Sequence, residues 1–400
     1  MSRTSEVPAL FSMEYFSNPL PTLDRLRQDH PVLQTQLPFV DVEIWLISGY
    51  DDIRLLSGDD RLSANPRWAT QEFIDSGMAM GLGTGWEKGF MGDPPDHGRQ
   101  RRLAGQGLTP RMVARWESLI TEVVNGFADE LAIAGEADLV QSFGYPFAIT
   151  IACEVLGVPQ ADHQQLRAWA EQAVGPDRAA ATQSLVSTLA YLKDLLRTKR
   201  EDPGEDLMSA LLAATEGDDR LGEAEICAIA GGMLLAGFET AANFVCNSVV
   251  ALLDNPEQLQ LLRDQPDLID GAVEELLRHS GPIVLSPIIR FATEPIELHG
   301  VVIPASAAVG FLAAAANHDP RVYEEPDRLD ITRSGPPHLQ FGHGPHHCVG
   351  NALARLEARI ALTTLLTRFT DLRLAVDRSE VVHRISPFMF VYDKVPVRLN

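Results

Sequence analysis

The longest apolar stretch of the chain, residues 226–253 with the sequence ICAIAGGMLLAGFETAANFVCNSVVALL, limits what the chain can fold into. A run of this length either crosses a membrane or is buried along its length in a protein core. Glu239, Asn243 and Asn247 interrupt the run, and polar groups are costly at the centre of a bilayer. We therefore expect a long central helix that is buried in the core of a soluble protein.

Charge and cysteine content narrow the classes of function. Acidic residues outnumber basic ones by 55 to 33 among 400 residues, for a formal net charge of −22, and 45% of the residues are hydrophobic. The hydrophobic content is enough for a substantial core, and so acidic a surface repels nucleic-acid phosphates. The four cysteines show no CxxC spacing, and residues 1–21 lack the basic start and apolar core of a signal peptide. We expect a cytoplasmic protein that binds neither nucleic acid nor a membrane.

The periodicity of the apolar residues is mostly helical. Apolar residues recur three and four positions apart in the segments 110–132, 145–156, 183–200, 222–253, 256–264, 269–279 and 349–368. Strand-like runs are fewer and lie at 42–48, 287–292, 296–304, 308–315 and 389–399. Strands and helices do not alternate, which argues against a doubly wound nucleotide-binding sheet. We predict one continuous domain over residues 1–400 that is mainly α with a minor β part.

The ten-residue segment FGHGPHHCVG, residues 341–350, combines three glycines, three histidines and one cysteine. Glycines allow left-handed backbone and close approaches, and Pro345 stiffens the loop. Helical periodicity resumes at about Val349, which places Cys348 where free N–H groups and the positive end of a helix dipole favour a thiolate. A thiolate in this position is suited to be a nucleophile or a soft metal ligand.

Three interpretations of Cys348 follow from its neighbours alone. A zinc ion could bind His343, His346 and Cys348, although the spacing is cramped and no fourth ligand with familiar spacing is nearby. A catalytic nucleophile could use the adjacent His347 as its base. A buried structural cysteine needs no partner at all.

The same loop resembles the haem-binding signature of the cytochrome P450 superfamily, Phe-Gly-x-Gly-x-His-x-Cys-x-Gly leading into a helix. Every fixed position of that signature is filled, by Phe341, Gly342, Gly344, His346, Cys348 and Gly350. The resemblance implies a cytochrome P450 fold in which haem b lies between the long central helix and the helix after the cysteine. It also implies that the Cys348 thiolate is the axial iron ligand, a ligation that favours O–O cleavage. Phe341 and Gly350 would then contact the cofactor, and His346 would reach a haem propionate.

The central helix carries a second mark of the family, AGFET at residues 236–240. It is similar to an oxygen-binding Ala-Gly-x-Glu/Asp-Thr segment, so Ala236 and Gly237 would border the haem. The resemblance implies that Thr240 hydrogen-bonds the oxygen that the haem activates and that Glu239 helps to deliver protons through water. Because glycine weakens a helix by about 1 kcal/mol relative to alanine, Gly237 also suggests a close approach or a local opening. The alternative for Thr240 is a hydrogen bond to the preceding turn.

Two further segments would supply ligands for the haem propionates. The segment GDPPDHGRQRR, residues 92–102, resembles the family's Asp-Pro-Pro-x-His-x-x-x-Arg, with His97 and Arg101 four residues apart on one helix face. Arg290 matches a third propionate-binding residue of the family. Together with His346, the resemblance implies four donors to the anionic carboxylates, which need paired charge when they are buried.

A structural triad is the last shared mark. Glu275 and Arg278 are three residues apart and can pair on one helix face, and in the family such a pair is buried with a later arginine, matched here by Arg333. The alternative is an ordinary surface ion pair, worth under about 1 kcal/mol.

The chain departs from the family pattern at four positions. Phe238 stands where histidine is frequent, and Ala241 stands where threonine or serine is common. His318 replaces an arginine, and Ser306 replaces a glycine. The first two put the water network beside Thr240 in question, and the last two affect supporting structure.

The implied activity is that of a bacterial monooxygenase, which places one atom of O2 in an organic substrate and reduces the other to water. Electrons would come from NAD(P)H through a ferredoxin reductase and a ferredoxin, since no flavin or iron–sulfur domain is evident. Ferredoxins are acidic, and six arginines could form a basic docking surface: Arg99, Arg102, Arg111, Arg115, Arg355 and Arg359. The alternative is that some of them pair with neighbouring carboxylates.

The substrate is expected to be bulky and hydrophobic. The contact segments that the resemblance implies are apolar and comprise residues 63–91, 174–187, the central helix, 282–287 and 387–390. Similarity to actinobacterial macrolide-type hydroxylases suggests hydroxylation or epoxidation in secondary-metabolite biosynthesis. Two other classes stay open at this point: a haem-thiolate protein that binds without oxidising, and a non-haem metal or thiol protein.

Overall fold

Helices dominate the computed structural model, which describes residues 10–37, 40, 42–78, 88–90, 92–175, 177–386 and 388–399. Its α-helices are α1 (Met13–Ser17), α2 (Leu20–Asp29), α3 (Tyr50–Ser57), α4 (Gln71–Asp75), α5 (Asp96–Gln106), α6 (Pro110–Ala114), α7 (Glu117–Ala134), α8 (Tyr145–Leu156), α9 (His163–Ala173), α10 (Arg178–Glu201), α11 (Leu207–Ala213), α12 (Glu223–Asp254), α13 (Pro256–Asp264), α14 (Ile269–Ser280), α15 (Ala313–Asn317) and α16 (Asn351–Arg368). Its strands are β1 (Val32–Leu37), β2 (Val42–Ile47), β3 (Leu62–Ser63), β4 (Glu136–Asp138), β5 (Thr215–Glu216), β6 (Asp219–Arg220), β7 (Arg290–Ala292), β8 (Ile296–Leu298), β9 (Val301–Ile303), β10 (Ala308–Phe311), β11 (Arg373–Leu374) and β12 (Pro396–Arg398). The predicted class, mainly α with a minor β part, is confirmed.

The long apolar segment forms α12, which lies in the centre of the helical layer and packs against α8, α10, α14 and α16. Among the described residues it is the helix long and apolar enough to cross a membrane, and 67% of its most apolar window is buried inside the protein. The three polar residues that interrupt the run each make a hydrogen bond there. The Asn247 amide donates to the carbonyls of Ser280 and Phe390 at 3.2 and 3.0 Å. The prediction of a buried central helix is confirmed.

The largest sheet has five of the named strands, in the order β1-β2-β10-β7-β3. β2 pairs antiparallel with β1 and parallel with β10. Ile44 and Leu46 belong to one apolar cluster and Trp45 and Ile47 to another, as the alternation of side chains along a strand requires. Both faces of the sheet are therefore covered. A smaller sheet, β11-β12-β4, carries the end of the chain.

Two of the predicted strands are partly wrong. Residues 296–304 form a hairpin, β8 and β9, in which His299 and Gly300 have φ of 51° and 75°. Positive φ at both central residues is the requirement of a type I′ turn. Residues 308–315 are a strand only as far as Phe311, and the alanines that follow begin α15 because alanine favours helix.

Two other predicted elements are shorter than expected. The strand at 389–399 is reduced to β12, while Met389 and Tyr392 make only isolated bridges. The helix at 110–132 is interrupted between α6 and α7, at Arg115 and Trp116.

Two departures from the family pattern have clear structural settings. Ser306 has φ 64°, in the left-handed region that favours glycine, and its N–H donates to the Ala292 carbonyl at 2.7 Å. His318 is buried, with Nδ1 2.9 Å from the Asp327 carboxylate and Nε2 3.1 Å from the carbonyl of His279. The histidine thus has partners for both ring nitrogens.

The predicted triad is formed around the buried carboxylate of Glu275. Arg278 donates to its two oxygens at 2.7 and 2.8 Å, and Arg333 donates at 3.1 Å. Although burial acts to raise it, the hydrogen bonds and charge of Arg278 hold the pKa of Glu275 below its usual range. The carboxylate therefore stays ionised inside the protein.

Glu357 of α16 is a buried carboxyl group in the opposite situation. It forms no hydrogen bond or ion pair with another residue of the described chain, and burial raises its pKa to about 8. Leu353 precedes it by four residues and Ile360 follows it by three, so the group lies on the apolar face of its helix. An acidic residue on such a face is a sequence signal, and the sequence reasoning missed it.

Replacement of Glu275 by glutamine is expected to destabilise the protein by about 3–5 kcal/mol, because the substitution leaves Arg278 buried without its counter-charge. Urea unfolding followed by tryptophan fluorescence measures the loss. The matched control is Glu171→Gln, which breaks a partly exposed ion pair with Arg167 at 2.8 Å and should cost under about 1 kcal/mol. Equal losses in the two variants would contradict a buried role for the triad.

Glu357→Gln is expected to change how stability depends on pH. In the folded protein Glu357 stays protonated up to about pH 8, while in the unfolded chain it ionises near its ordinary value of 4.5. Ionisation of the unfolded state therefore lowers the stability of the native protein by up to about 1.4 kcal/mol per pH unit as pH rises between these values. The glutamine variant lacks this loss. Its free energy of unfolding should therefore rise relative to that of the native protein as the pH increases from 5 to 8. Parallel curves would show that Glu357 is not buried and neutral.

Candidate active site

The Cys348 loop has the backbone that its glycines predict. Gly342 and Gly344 have φ of 70° and 72°, and a Cβ on Gly344 would lie 2.8 Å from the Ser57 carbonyl oxygen. Neither position suits a larger residue. The Cys348 N–H donates to the Phe341 carbonyl at 2.8 Å, which closes the loop.

The partly buried Cys348 thiol lies just before α16, which begins at Asn351, two residues later than predicted. Burial raises the pKa of this thiol, and the Gly350 N–H and the charges of Arg101 and Arg355 oppose the shift without reversing it. The prediction that the loop by itself favours a thiolate is wrong, because burial outweighs the helix terminus and the two arginines. A metal ion bound to the sulfur would remove the proton outright.

Three side chains in or beside this loop carry buried nitrogen atoms that lack a hydrogen-bond partner among the described residues. The imidazole rings of His97 from α5 and His346 from the loop stack with centroids 3.9 Å apart. His97 Nε2, His346 Nδ1 and Nη1 of Arg290 in β7 are buried and have no hydrogen-bond partner among the described residues. Burial, reinforced by nearby arginines, lowers the pKa of His97 to about 4 and that of His346 to about 2.

Within the described part of the chain, no carboxylate is hydrogen-bonded to these three nitrogen atoms. Burial lowers the pKa of Arg290 to about 10, and the nearby Asp93 opposes that shift. Asp93, however, accepts from the Ser63 hydroxyl at 2.6 Å and from the Ala64 N–H at 3.0 Å. Because buried donors without partners are costly, the cluster fits an anionic ligand such as the carboxylates of a haem.

Arg101 and Arg355 both contact the cysteine loop. Arg101 Nη2 donates to the His347 carbonyl at 2.5 Å, and its guanidinium lies 5.4 Å from the centre of the Phe90 ring. The Arg355 guanidinium lies 4.6 Å from the centre of the Phe341 ring. Arg101 therefore holds the loop in addition to its predicted role, a contact that the sequence did not indicate.

The zinc ligand set proposed for this loop is not assembled. In the ranges that the structure describes, no three His, Cys, Asp or Glu side chains lie together as metal ligands. His346 stacks on His97 instead, and the His347 ring lies edge-on to Phe341 with centroids 6.3 Å apart.

On α12, the residues Ala236, Gly237 and Thr240 form an exposed to half-exposed face. A Cβ built on Gly237 would meet no atom within 4 Å, so no protein neighbour requires glycine there. The helix runs unbroken through this segment, and the expected local opening is absent from α12. The Thr240 hydroxyl donates to the Ala236 carbonyl at 2.6 Å, which is the back-bonded alternative of the sequence analysis.

Glu239 lies on a buried side of α12, where Arg384 Nη2 donates to its carboxylate. Burial raises the pKa of Glu239, and the charge and hydrogen bond of Arg384 act against that shift. Phe238 is buried beside it, with its ring 5.3 Å from that of Tyr145. The structure therefore does not join Glu239 to Thr240, and Arg384 is a partner that the sequence reasoning missed.

The six arginines of the predicted docking surface are mostly paired. The pairs are Arg99 with Asp219 and Glu225, Arg102 with Glu216, Arg115 with Glu205, Arg355 with Glu274 and Arg359 with Glu117. Arg111 is exposed and has no ion pair within the described residues. Five of the six charges are thus matched by carboxylates, and the basic surface is largely neutralised.

Two of the predicted substrate segments, residues 282–287 and 387–390, are joined by backbone hydrogen bonds. The Val284 N–H donates to the Phe388 carbonyl at 2.9 Å, and the Phe390 N–H donates to the Pro282 carbonyl at 2.8 Å. Residues 79–87 and 91 of a third segment lie outside the described residues, as do residues 176 and 387. In the fourth segment, Val174 and Val186 expose 43% of their surface each.

Known proteins that resemble this chain do so over almost its whole length. A family model for cytochrome P450 matches residues 178–396. The chain is similar to the cytochrome P450 monooxygenase PikC of Streptomyces venezuelae, with 39% identity over 389 residues, 96% of this chain and 92% of that protein. It is 39% identical to the vitamin D(3) 25-hydroxylase of Pseudonocardia autotrophica over 393 residues, 98% of this chain and 96% of that protein.

A solved structure gives the same result for the fold. The cytochrome P450 PksS of the bacillaene polyketide synthase of Bacillus subtilis superposes with a TM-score of 0.90 at 31% identity, covering 98% of this chain and 99% of that one. The matches in sequence, the similarity in fold and the motif of the cysteine loop all indicate the same family. The chain belongs to the cytochrome P450 family and is a cytochrome P450 monooxygenase.

Proposed function

We propose that this monooxygenase binds haem b between α12 and α16, with the Cys348 thiolate as the axial ligand of the iron. His97, Arg101, Arg290 and His346 would hold the propionates. The observation that carries the proposal is a set of buried nitrogen atoms that lack a partner in the described ranges, contributed by α5, β7 and the cysteine loop. Three separate parts of the chain bring unpaired donors to one place, which a carboxylate ligand would satisfy.

When bound, a thiolate-ligated haem supplies the activation of O2. The chain sets the conditions around it. The Gly350 N–H acts to lower the pKa of Cys348 and would moderate the electron donation of the bound thiolate. Arg290 offers a buried charge to a propionate carboxylate, while Phe341, packed on Arg355, would border the ring.

On the α12 side we assign proton handling to Thr240 and Glu239, next to Ala236 and Gly237. The Thr240 hydroxyl keeps its acceptor lone pairs while it donates to the Ala236 carbonyl, and rotation of the side chain would redirect its proton to the open face. Burial raises the pKa of Glu239 above its ordinary value although Arg384 acts against the shift, and a raised pKa favours uptake of a proton by a carboxyl group. The carboxyl group is therefore suited to deliver protons.

The substrate proposed is a bulky, largely hydrophobic molecule of secondary metabolism, which would be hydroxylated or epoxidised. Of the matched proteins, one is named for vitamin D(3) and another for a polyketide synthase, and both names point to large carbon-rich molecules. The contact segments at Val284 and Phe388 are apolar and support this class. Screening such compounds for a shift in the haem spin state would identify the substrate directly.

The proposed setting is the cytoplasm, with residues 1–400 acting as one domain. A ferredoxin and its NAD(P)H-dependent reductase would supply the electrons. Because five of the six candidate arginines are already paired, charge attraction would contribute less to docking than the sequence suggested, and Arg111 would contribute most.

The reduced protein with carbon monoxide is expected to show the red-shifted Soret band of thiolate-ligated haem. Cys348→Ala should abolish this band, because no other described thiol lies in the loop, while Cys227→Ala, which removes a buried thiol of α12, should retain it. A band without the red shift in the native protein would refute the haem-thiolate assignment.

Thr240→Ala is expected to retain that band and to lower the product formed per NAD(P)H by about tenfold or more, because a positioned proton-transfer group is lost. Thr240→Ser keeps the hydroxyl and should couple nearly as well as the native enzyme. If Thr240→Ala forms product with unchanged coupling, the assignment of Thr240 to proton handling fails.

A further inference from the structure

An acidic hairpin lies against the outer face of α5. It comprises residues 215–220, which connect α11 to α12 with the sequence TEGDDR and pair as β5 and β6. All six residues are exposed, while Ala214 and Leu221 on either side of them are buried. The acidic hairpin is therefore anchored in the core at its two ends, and its body lies on the outside of the protein.

Polar contacts join the acidic hairpin to α5. Arg102 Nε donates to the Glu216 carboxylate at 2.9 Å, and Arg99 Nη1 donates to the Asp219 carboxylate at 3.3 Å. The Gln106 amide donates to a backbone carbonyl of the hairpin at 3.0 Å. These three donors are three and four residues apart, so they occupy one face of α5. A face of donors thus meets a hairpin of acceptors.

The ion pairs of this contact are open to solvent. The side chains of Arg102 and Glu216 are 61% and 49% exposed, and that of Asp219 is 45% exposed. Arg99 also pairs with Glu225 of α12, which is not part of the hairpin. Exposed ion pairs are weak and are screened by salt. The acidic hairpin is therefore held on α5 by contacts that other carboxylates can replace.

The covered face belongs to the helix that contacts the cysteine loop. On other positions of α5, Arg101 donates to the His347 carbonyl, and the His97 ring stacks on a histidine of the loop. Arg99 and Arg102 are one or two residues away from Arg101, a proposed propionate ligand. A protein that docks on these arginines would lie close to the proposed haem.

Charge decides which partner fits this face. The protein has a formal net charge of −22, so it repels an acidic partner as a whole and attracts one only through local arginines. The hairpin offers the carboxylates of Glu216, Asp218 and Asp219, and an acidic protein offers groups of the same kind. The acidic hairpin and such a partner therefore compete for the same guanidinium groups.

We propose that the acidic hairpin is an autoinhibitory cover over a docking surface, formed by Arg99 and Arg102, for the acidic face of a ferredoxin. The inference rests on the proposed supply of electrons by a ferredoxin. When the ferredoxin binds, its carboxylates replace those of Glu216 and Asp219, and the hairpin moves off α5. Until then the two arginines contribute little to docking. The cover raises the charge that a partner must bring, so it disfavours weakly acidic proteins.

The test measures the affinity of the holoenzyme for a purified plant-type ferredoxin, an acidic protein, by isothermal titration calorimetry. The measurement is made at physiological ionic strength, where charges farther apart than about 8 Å are largely screened. Glu216→Gln/Asp219→Asn uncovers the arginines and should tighten binding by about threefold to tenfold, because the exposed pairs that it removes are weak.

The matched control is Glu136→Gln/Asp194→Asn, which removes the same number of charges from exposed ion pairs with Arg398 and Arg197. It changes the net charge equally and uncovers nothing on α5, so the affinity should change by less than about twofold. An equal gain in this control would show that net charge, not uncovering, governs binding, and would overturn the inference.

A cycle of substitutions at Glu216 and Arg102 separates competition from any other effect of the hairpin. Glu216→Gln should tighten binding in the native background and have little effect in Arg102→Gln, where the carboxylate has no arginine to cover. An equal gain in both backgrounds, or no gain in Glu216→Gln/Asp219→Asn, would contradict the proposal. All variants should keep the carbon monoxide band of the reduced protein, and absence of that band in the native enzyme would instead refute the proposed function.

Discussion

Burial of α12 is the constraint on which the rest of the structure depends. The helix is too apolar to lie on a surface, so α8, α10, α14 and α16 pack around it. This packing fixes α16, and α16 fixes the cysteine loop at its start. It also leaves Ala236, Gly237 and Thr240 as a more exposed strip along an otherwise buried helix. The position of both halves of the site follows from one hydrophobic requirement.

The interior treats its charged groups in three different ways. Glu275 is surrounded by Arg278 and Arg333 and stays ionised, which stabilises the fold. Glu357 has no described partner, and its pKa rises to about 8. Near Cys348 the missing partner is the acid, because buried nitrogen atoms converge there and no described carboxylate is bonded to them. Other buried polar atoms of the described chain also lack a partner, among them Trp45 Nε1 and Asn317 Nδ2, but those of His97, His346 and Arg290 lie together, and the proposed haem propionates would satisfy them.

Much of the fold could be predicted from local pattern. The ends of α8 and α13 match their apolar segments, because proline or glycine marks their limits. The turn at His299 and Gly300 cannot be predicted from the apolar run, because residues other than glycine seldom adopt positive φ and the run continues on both sides of the turn. The end of the strand within residues 308–315 cannot be predicted either, because apolar periodicity does not separate a short buried strand from the helix that follows.

The sequence by itself determined the family and the cysteine loop, and it supplied the residues proposed to bind the cofactor, because each is marked by a residue type at a fixed spacing. Only the tertiary structure decided how those groups are held. It shows that burial raises the pKa of Cys348, that five arginines are already paired, and that Arg384 binds Glu239 across 145 positions of sequence. Local spacing carries no information about such contacts, because they depend on which distant segments the folded core brings together.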